Sequence, residues 1–259
     1  MDSPLQHSRY PGIRAFERSE TAQFFGRQRE TQELFSMVKV KPLTVLFAKS
    51  GIGKTSLINA GLGPLLEQNG YLPIKIRLQD TALSPVETVK KVLEHRLNRD
   101  LLKRYGQAPF SLWEYLRACN FESGSGEAQV PVLVFDQFEE LFNHPRDAQL
   151  ALTLALADLI NDRLPDAVQA RFRSFPRQER SDEMLHWFSP QKIRVLFAIR
   201  TDRMGELDRL KQHIPTVLHD RFYLRPLGEA EAREAIVQPA ALREGNYQTA
   251  PFGYSEAAL

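Results

Sequence analysis

A three-layer α/β domain around a parallel central sheet is the fold class this sequence predicts, and three observations predict it. Continuous apolar runs at residues 43–48, 130–135 and 193–199 read as strands buried on both faces, as in parallel sheets. Helical patterns lie between the runs, which is the alternation a parallel sheet requires. A glycine-containing loop follows the first run directly, where a ligand-binding turn at a sheet edge is expected. The 259 residues suffice for one large domain, or for a main domain and a small second one. With 42% hydrophobic and 25% charged residues the chain has the apolar mass to fold, which excludes disorder, collagen and a coiled coil as its main state.

Pro42 and the glycine loop bound the first strand, and residues 71–78 form a weaker strand candidate after an apolar helix that includes residues 57–60. At residues 84–87 a serine cap, a proline in the first helical position and a glutamate as reciprocal cap start a helix. Val86, Val89, Leu93, Leu97 and Leu101 continue it at helical spacing. Ser111 and Glu114 repeat the capping logic for a shorter helix, and the linker at residues 122–127 reads as prone to disorder before the 130–135 strand. Residues 147–163, rich in Ala and Leu, predict another helix, and residues 222–224 a last weak strand. From about Pro226 the pattern changes to a helix over residues 230–237 that Pro239 is expected to close. Residues 1–225 therefore read as the main domain, and residues 226–259 as the beginning of a second, in a chain that reads as truncated.

Lys and Arg number 34 against 32 acidic residues, so no general electrostatic attraction to nucleic acid or to an anionic membrane is expected. Cys119 is the only cysteine, which excludes an internal disulfide and a cysteine-based zinc site and suits a reducing, cytoplasmic setting. The first residues lack the apolar core of a signal peptide, and no apolar stretch has the length of a spanning helix.

Residues 48–56, Ala-Lys-Ser-Gly-Ile-Gly-Lys-Thr-Ser, fit G-x-x-x-x-G-K-[ST] except for Ala48 at the first glycine, where a methyl group at a strand end is tolerable. Backbone N–H groups between Ser50 and Thr55 must converge on phosphate oxygens. Gly51 and Gly53 permit the tight turn, while Ile52 and Ser56 complete the loop. Lys54 is expected to face the β- and γ-phosphates and Thr55 to ligate Mg²⁺, with the following helix directing its positive end at the anion.

The 130–135 strand runs into Asp136, Gln137, Phe138, Glu139 and Glu140, the pattern of a Walker B element. Carboxylates at the carboxyl end of a parallel strand emerge at the same sheet edge as the phosphate loop. Asp136 is expected on the metal side, and either Glu139 or Glu140 to polarise the attacking water, with Glu139 narrowly ahead. The third apolar run ends in Arg200, whose position suits a γ-phosphate contact and equally an ion pair with Asp202 or Asp136.

The opening residues 10–16, the segment Phe24-Phe25-Gly26-Arg27, the phosphate loop running on to Pro64, and the string from Phe135 to Phe142 together resemble the novel STAND NTPase family. The resemblance covers about residues 8–240. Members of this family are signal-transduction ATPases related to the NACHT and NB-ARC switches and, more distantly, to AAA+ ATPases, so the implied fold is a P-loop NTPase of the ASCE type. By that resemblance the N-terminal segment, residues 1–30, contacts adenine and ribose through Phe25, Gly26 and Arg27. It also implies that Arg200 touches the γ-phosphate, and that residues from Pro226 onward begin the helical and winged-helix region that closes over ADP. ATP or ADP with Mg²⁺ are the implied cofactors. Self-association on ATP binding is implied too, with an effector or sensor module beyond Leu259 or on another chain, often in bacterial or antiviral defence.

Three other readings compete. An AAA+-like ATPase acting on nucleic acid would use the local basic cluster of Arg171, Arg173, Arg177 and Arg180, with Phe172 and Phe175 as stacking platforms, although a solvated loop explains the segment better. A GTPase or small-molecule kinase ranks lower, since the chain has no Asn-Lys-x-Asp sequence. A nucleotide-clamped assembly module without significant turnover is the third.

Overall fold

In the computed structural model, which describes residues 8–189 and 191–256, five parallel strands form one sheet in the order β2-β3-β4-β1-β5. In chain order the elements are α1 (Gln28–Val40), β1 (Leu43–Ala48), α2 (Lys54–Ser56), a π-helical turn (Leu57–Leu62), α3 (Gly63–Gln68) and β2 (Tyr71–Ile76). Then come α4 (Pro85–Leu93), α5 (Arg99–Tyr105), α6 (Leu112–Arg117), β3 (Val130–Asp136), α7 (Arg146–Ile160), α8 (Asp166–Ser174) and α9 (Asp182–Trp187). The strand β4 (Arg194–Arg200), a 3-10 stretch (Thr201–Leu210), β5 (Arg221–Tyr223) and α10 (Glu229–Ala241) complete the chain. Residues 1–7 of the expected N-terminal segment and residues 257–259 of the expected C-terminal region lie outside the described residues.

The three long apolar runs are strands because each buries both faces. Along β3, Val132 and Val134 join one core with α1 and the helix after the phosphate loop, whereas Leu133 and Phe135 join the other with α4, α6 and α7. Along β4, Leu196 and Ala198 face the first core, and Val195, Phe197 and Ile199 the second. This is the predicted three-layer α/β arrangement. β4 lies between β1 and β3, so the loops after all three strands open at one edge of the sheet.

Local chemistry sets most helix starts. Ser111 Oγ accepts from Glu114 N at 3.2 Å while the Glu114 carboxylate accepts from Ser111 N at 2.7 Å, a complete capping box. Ser111→Ala is expected to lower stability by about 1 kcal/mol, read from the midpoint of denaturant unfolding. Ser84 caps α4, but Glu87 accepts from Lys90 at 3.0 Å in place of the expected reciprocal bond.

Four expectations fail. The helix begun at Pro85 does not run to Leu101: Leu97 turns extended to bridge Cys119, and Asn98 starts a new helix by accepting from Leu101 N at 3.0 Å. Residues 122–127 form an ordered turn, with Ser123 N donating to Glu127 O at 2.8 Å and a bridge between Glu122 and Ala128. Residues 163–180 are not a solvated loop throughout but contain α8 and the 3-10 turn Arg177–Glu179; Phe172 and Phe175 pack on Phe188, Arg171 pairs with Glu114, and Arg180 lies 4.5 Å over the Phe172 ring. Pro239 does not close the last helix, which continues to Ala241, and Arg9 donates to the carbonyls of Pro239 and Leu242 at its end.

Candidate functional site

The phosphate loop joins β1 to α2. Gly51 and Gly53 have φ of +80° and +102°, conformations that side chains with a Cβ rarely adopt, and a Cβ at either would meet nothing within 4 Å. The loop is therefore open on the side where an anion would rest. Ala48 is fully buried at the strand end, so its methyl group packs into the core and not into the loop. The Lys54 ammonium, 8% exposed as a residue, donates to the Ala48 carbonyl at 3.2 Å, and burial pushes its pKa down.

Thr55 Oγ1 donates to the Asp136 carboxylate at 3.1 and 3.2 Å, so the first helical residues after the loop and the end of β3 meet directly. The Asp136 side chain is fully buried and shared with two cations from β2 and its end: Lys75 Nζ lies 3.4 Å from it and Arg77 Nη1 3.8 Å. A hydroxyl and a carboxylate are the hard oxygen donors that suit Mg²⁺, which completes its shell with water and substrate phosphates.

Beyond Asp136, Gln137 takes a left-handed conformation at φ +59°, which turns the chain sharply into the 3-10 helix Phe138–Asn143. Phe138 anchors this turn by stacking on Phe197 at 3.7 Å. The anchor sends the next two carboxylates to different places. Glu140 is engaged: it accepts from Arg77 Nη2 at 2.7 Å and from Leu78 N at 3.2 Å. Glu139 is buried, its Oε2 has no hydrogen-bond partner, and burial pushes its pKa up against the backbone N–H groups of Glu139 and Arg200 and the charges of Lys54 and Arg200. The Arg200 side chain is half-exposed and pairs with Asp202 at 2.8 Å, which holds that carboxyl below the usual range.

A cavity of about 280 Å³ adjoins the loop at Ile52, Gly53 and Ser56. Aromatic and small residues of the N-terminal segment wall it, with Phe25 and Arg27 among them, and Leu227 and Ala235 close the far side. Arg27 Nη2 donates to the Ile52 carbonyl at 3.3 Å, and its Nη1 pairs with Glu30 at 2.6 Å. Gly26 serves a different contact. A Cβ there would stand 2.3 Å from the Glu231 carbonyl, so its absence lets α10 cross this turn.

The structure thus gathers Lys54, Thr55, Asp136, Glu139 and Arg200 at one sheet edge and sets Phe25 and Arg27 in the adjoining cavity. Lys75 and Arg77 were missed by sequence reasoning. The only available signal was the alternation Ile74-Lys75-Ile76-Arg77, which places two cations on one side of a strand near its carboxyl end. Tyr10 and Phe16, which belong to the opening stretch of the family resemblance, also wall the cavity. Among the described residues no helix is long and apolar enough to cross a membrane.

A sequence model of the family described as Novel STAND NTPase 1 matches residues 10–252. No match is found among curated proteins. Among solved structures, the Walker-type ATPase of Pyrococcus abyssi is similar with a TM-score of 0.48 and 13% identity, over 84% of this chain and 57% of that one. The ORC2 protein of Aeropyrum pernix in its ADP form gives 0.47 and 12%, over 83% and 51%. DnaA from Aquifex aeolicus bound to AMPPCP gives 0.38 and 15%, over 83% and 51%. The chain spans about half the length of these solved proteins.

Proposed function

Because the chain belongs to the Novel STAND NTPase 1 family, we propose that it is an ATP-binding molecular switch that hydrolyses its nucleotide slowly, in signal transduction for defence or regulated assembly. The observation that carries the reading is the direct contact of Thr55 with Asp136, which puts both metal-side oxygen donors beside the phosphate loop and its buried lysine. Thr55 and Asp136 would hold Mg²⁺ brought in with the nucleotide. That ion, when bound, supplies charge neutralisation on the phosphates.

The chain's own groups divide the remaining work. Loop N–H groups and Lys54 bind the β- and γ-phosphates. Glu139, buried and unpaired at Oε2, orients the attacking water and accepts its proton. Arg200 leaves Asp202 to contact a γ-phosphate, exchanging one half-exposed ion pair for another. The aromatic cavity takes adenine and ribose, with residues from Pro226 onward forming the start of a closing helical and winged-helix region. Slow turnover would give the switch its long-lived states. ATP-driven self-association, and an effector or sensor module beyond Leu259 or on another chain, complete the proposal.

The test is to denature the purified protein and identify any released nucleotide by chromatography, with its amount per chain. Near-stoichiometric ADP is the expected result. Bound GTP would overturn the choice of base, and an empty protein that also fails to take up ATP or ADP in titration would overturn the switch reading.

A further inference from the structure

Arg9 lies outside every motif, yet it is one of the most heavily engaged polar residues of the chain. It is 4% exposed and makes four hydrogen bonds, all to the C-terminal part. Nη1 donates to the carbonyls of Pro239 at 2.8 Å and Leu242 at 2.9 Å, at the carboxyl end of α10. Nε donates to Thr249 Oγ1 at 3.0 Å and Nη2 to the Thr249 carbonyl at 2.9 Å, while the guanidinium lies 4.4 Å over the Tyr247 ring. Carbonyls at a helix carboxyl end carry the partial negative charge that makes this burial of a cation tolerable.

The next residues wall the cavity. Tyr10, Pro11, Gly12 and Phe16 line it on one side, Leu227 and Ala235 on the other. The stretch is held at both ends. At the far end Phe16 is fixed on both sides of its backbone: its N–H donates to Ser56 Oγ at 3.2 Å and its carbonyl accepts from Asn59 Nδ2 at 2.9 Å. At the near end Tyr10 Oη donates to the Ile236 carbonyl at 2.5 Å beside the Arg9 fork.

We propose that Arg9 is a positioning residue for nucleoside binding: it ties a strap, residues 9–16, to the end of α10, so that strap and helix together wall the base cavity, while the strap meets the phosphate loop only at its opposite end, where Phe16 bonds Ser56. The inference rests on the adenine-nucleotide reading of that cavity. It predicts that losing Arg9 weakens recognition of the nucleoside and leaves recognition of the phosphates.

The experiment compares the unsubstituted protein with Arg9→Met in calorimetric titrations with ADP and with inorganic pyrophosphate, together with the ADP dissociation rate. ADP affinity should fall about three- to tenfold with a matching rise in dissociation rate. Pyrophosphate affinity should stay within about twofold, because its site is the loop. Thr249→Val, which removes one acceptor at an exposed position, should give a smaller change of the same kind and keeps the test alive if Arg9→Met fails to fold. Equal ADP affinity and dissociation rate in all three proteins would overturn the strap alone. A parallel fall in pyrophosphate affinity would reduce Arg9 to a structural residue and also overturn it. If the unsubstituted protein binds no ADP, the nucleotide reading fails and the strap with it.

Discussion

Glu139→Gln is expected to leave nucleotide affinity nearly unchanged and to cut hydrolysis about 10²- to 10⁴-fold, the ordinary contribution of a positioned general base. The asymmetry between the two neighbouring glutamates makes the experiment decisive. Glu140 is held by Arg77 and Leu78 N, whereas Glu139 is buried with an unpartnered oxygen close to Lys54 and Arg200. Glu140→Gln should instead lower stability by about 1–3 kcal/mol by weakening the Arg77 fork, with turnover per folded molecule retained. Because burial pushes the Glu139 carboxyl up, and only the carboxylate can accept a proton, the rate should fall on the acid side above the usual glutamate value of about 4.3. That acid limb should be missing from the residual activity of Glu139→Gln. Turnover unchanged in both variants would refute the assignment.

What was legible in the sequence was what is local. Gly51, Gly53, Lys54 and Thr55 are read together because a single turn has to bend, approach an anion and begin a helix within a few residues. The three long strands were legible because burial on both faces leaves continuous apolar runs. Their ends, and those of the short strand Arg221–Tyr223 expected at 222–224, agree to within a residue, whereas the mixed strand Tyr71–Ile76 stops two residues short of the expected 71–78. Helical spacing carried past Leu93 misled, because Leu97 pairs with Cys119 and Asn98 offers a new cap, neither of which periodicity registers. Lys75 and Arg77 matter only because β2 lies beside β3, and no feature of their own segment names that neighbour. Arg9 was invisible for the same reason at longer range, since its acceptors lie 230 to 240 residues away. The different surroundings of Glu139 and Glu140 were not legible either, since they depend on Phe138 stacking against Phe197 and on which of the two Arg77 reaches.

Lys54→Ala should separate binding from stability. The ammonium sits in a buried position where it donates to the Ala48 carbonyl at 3.2 Å and the Lys49 carbonyl at 3.5 Å, and burial lowers its pKa. Deleting it removes a desolvated charge that the free protein supports at some cost, so thermal stability without ligand should hold or rise slightly. Nucleotide affinity should move the other way and fall about tenfold to a hundredfold, since a charge-assisted contact to phosphate is lost from a site with little water to replace it. The pH dependence follows with a definite sign. The phosphates bind the protonated form, and an adjacent polyanion raises the pKa that burial had lowered. Affinity is therefore complete below the pKa of Lys54 in the free protein and declines as pH rises through it. In Lys54→Ala that decline should disappear, leaving affinity low and flat across the same range. Calorimetric titration with ADP at several pH values, beside thermal melts of the free proteins, measures both effects. Undiminished affinity in the variant would overturn the phosphate-loop reading, and a large loss of stability would show that the lysine's bonds to Ala48 and Lys49 hold the loop itself.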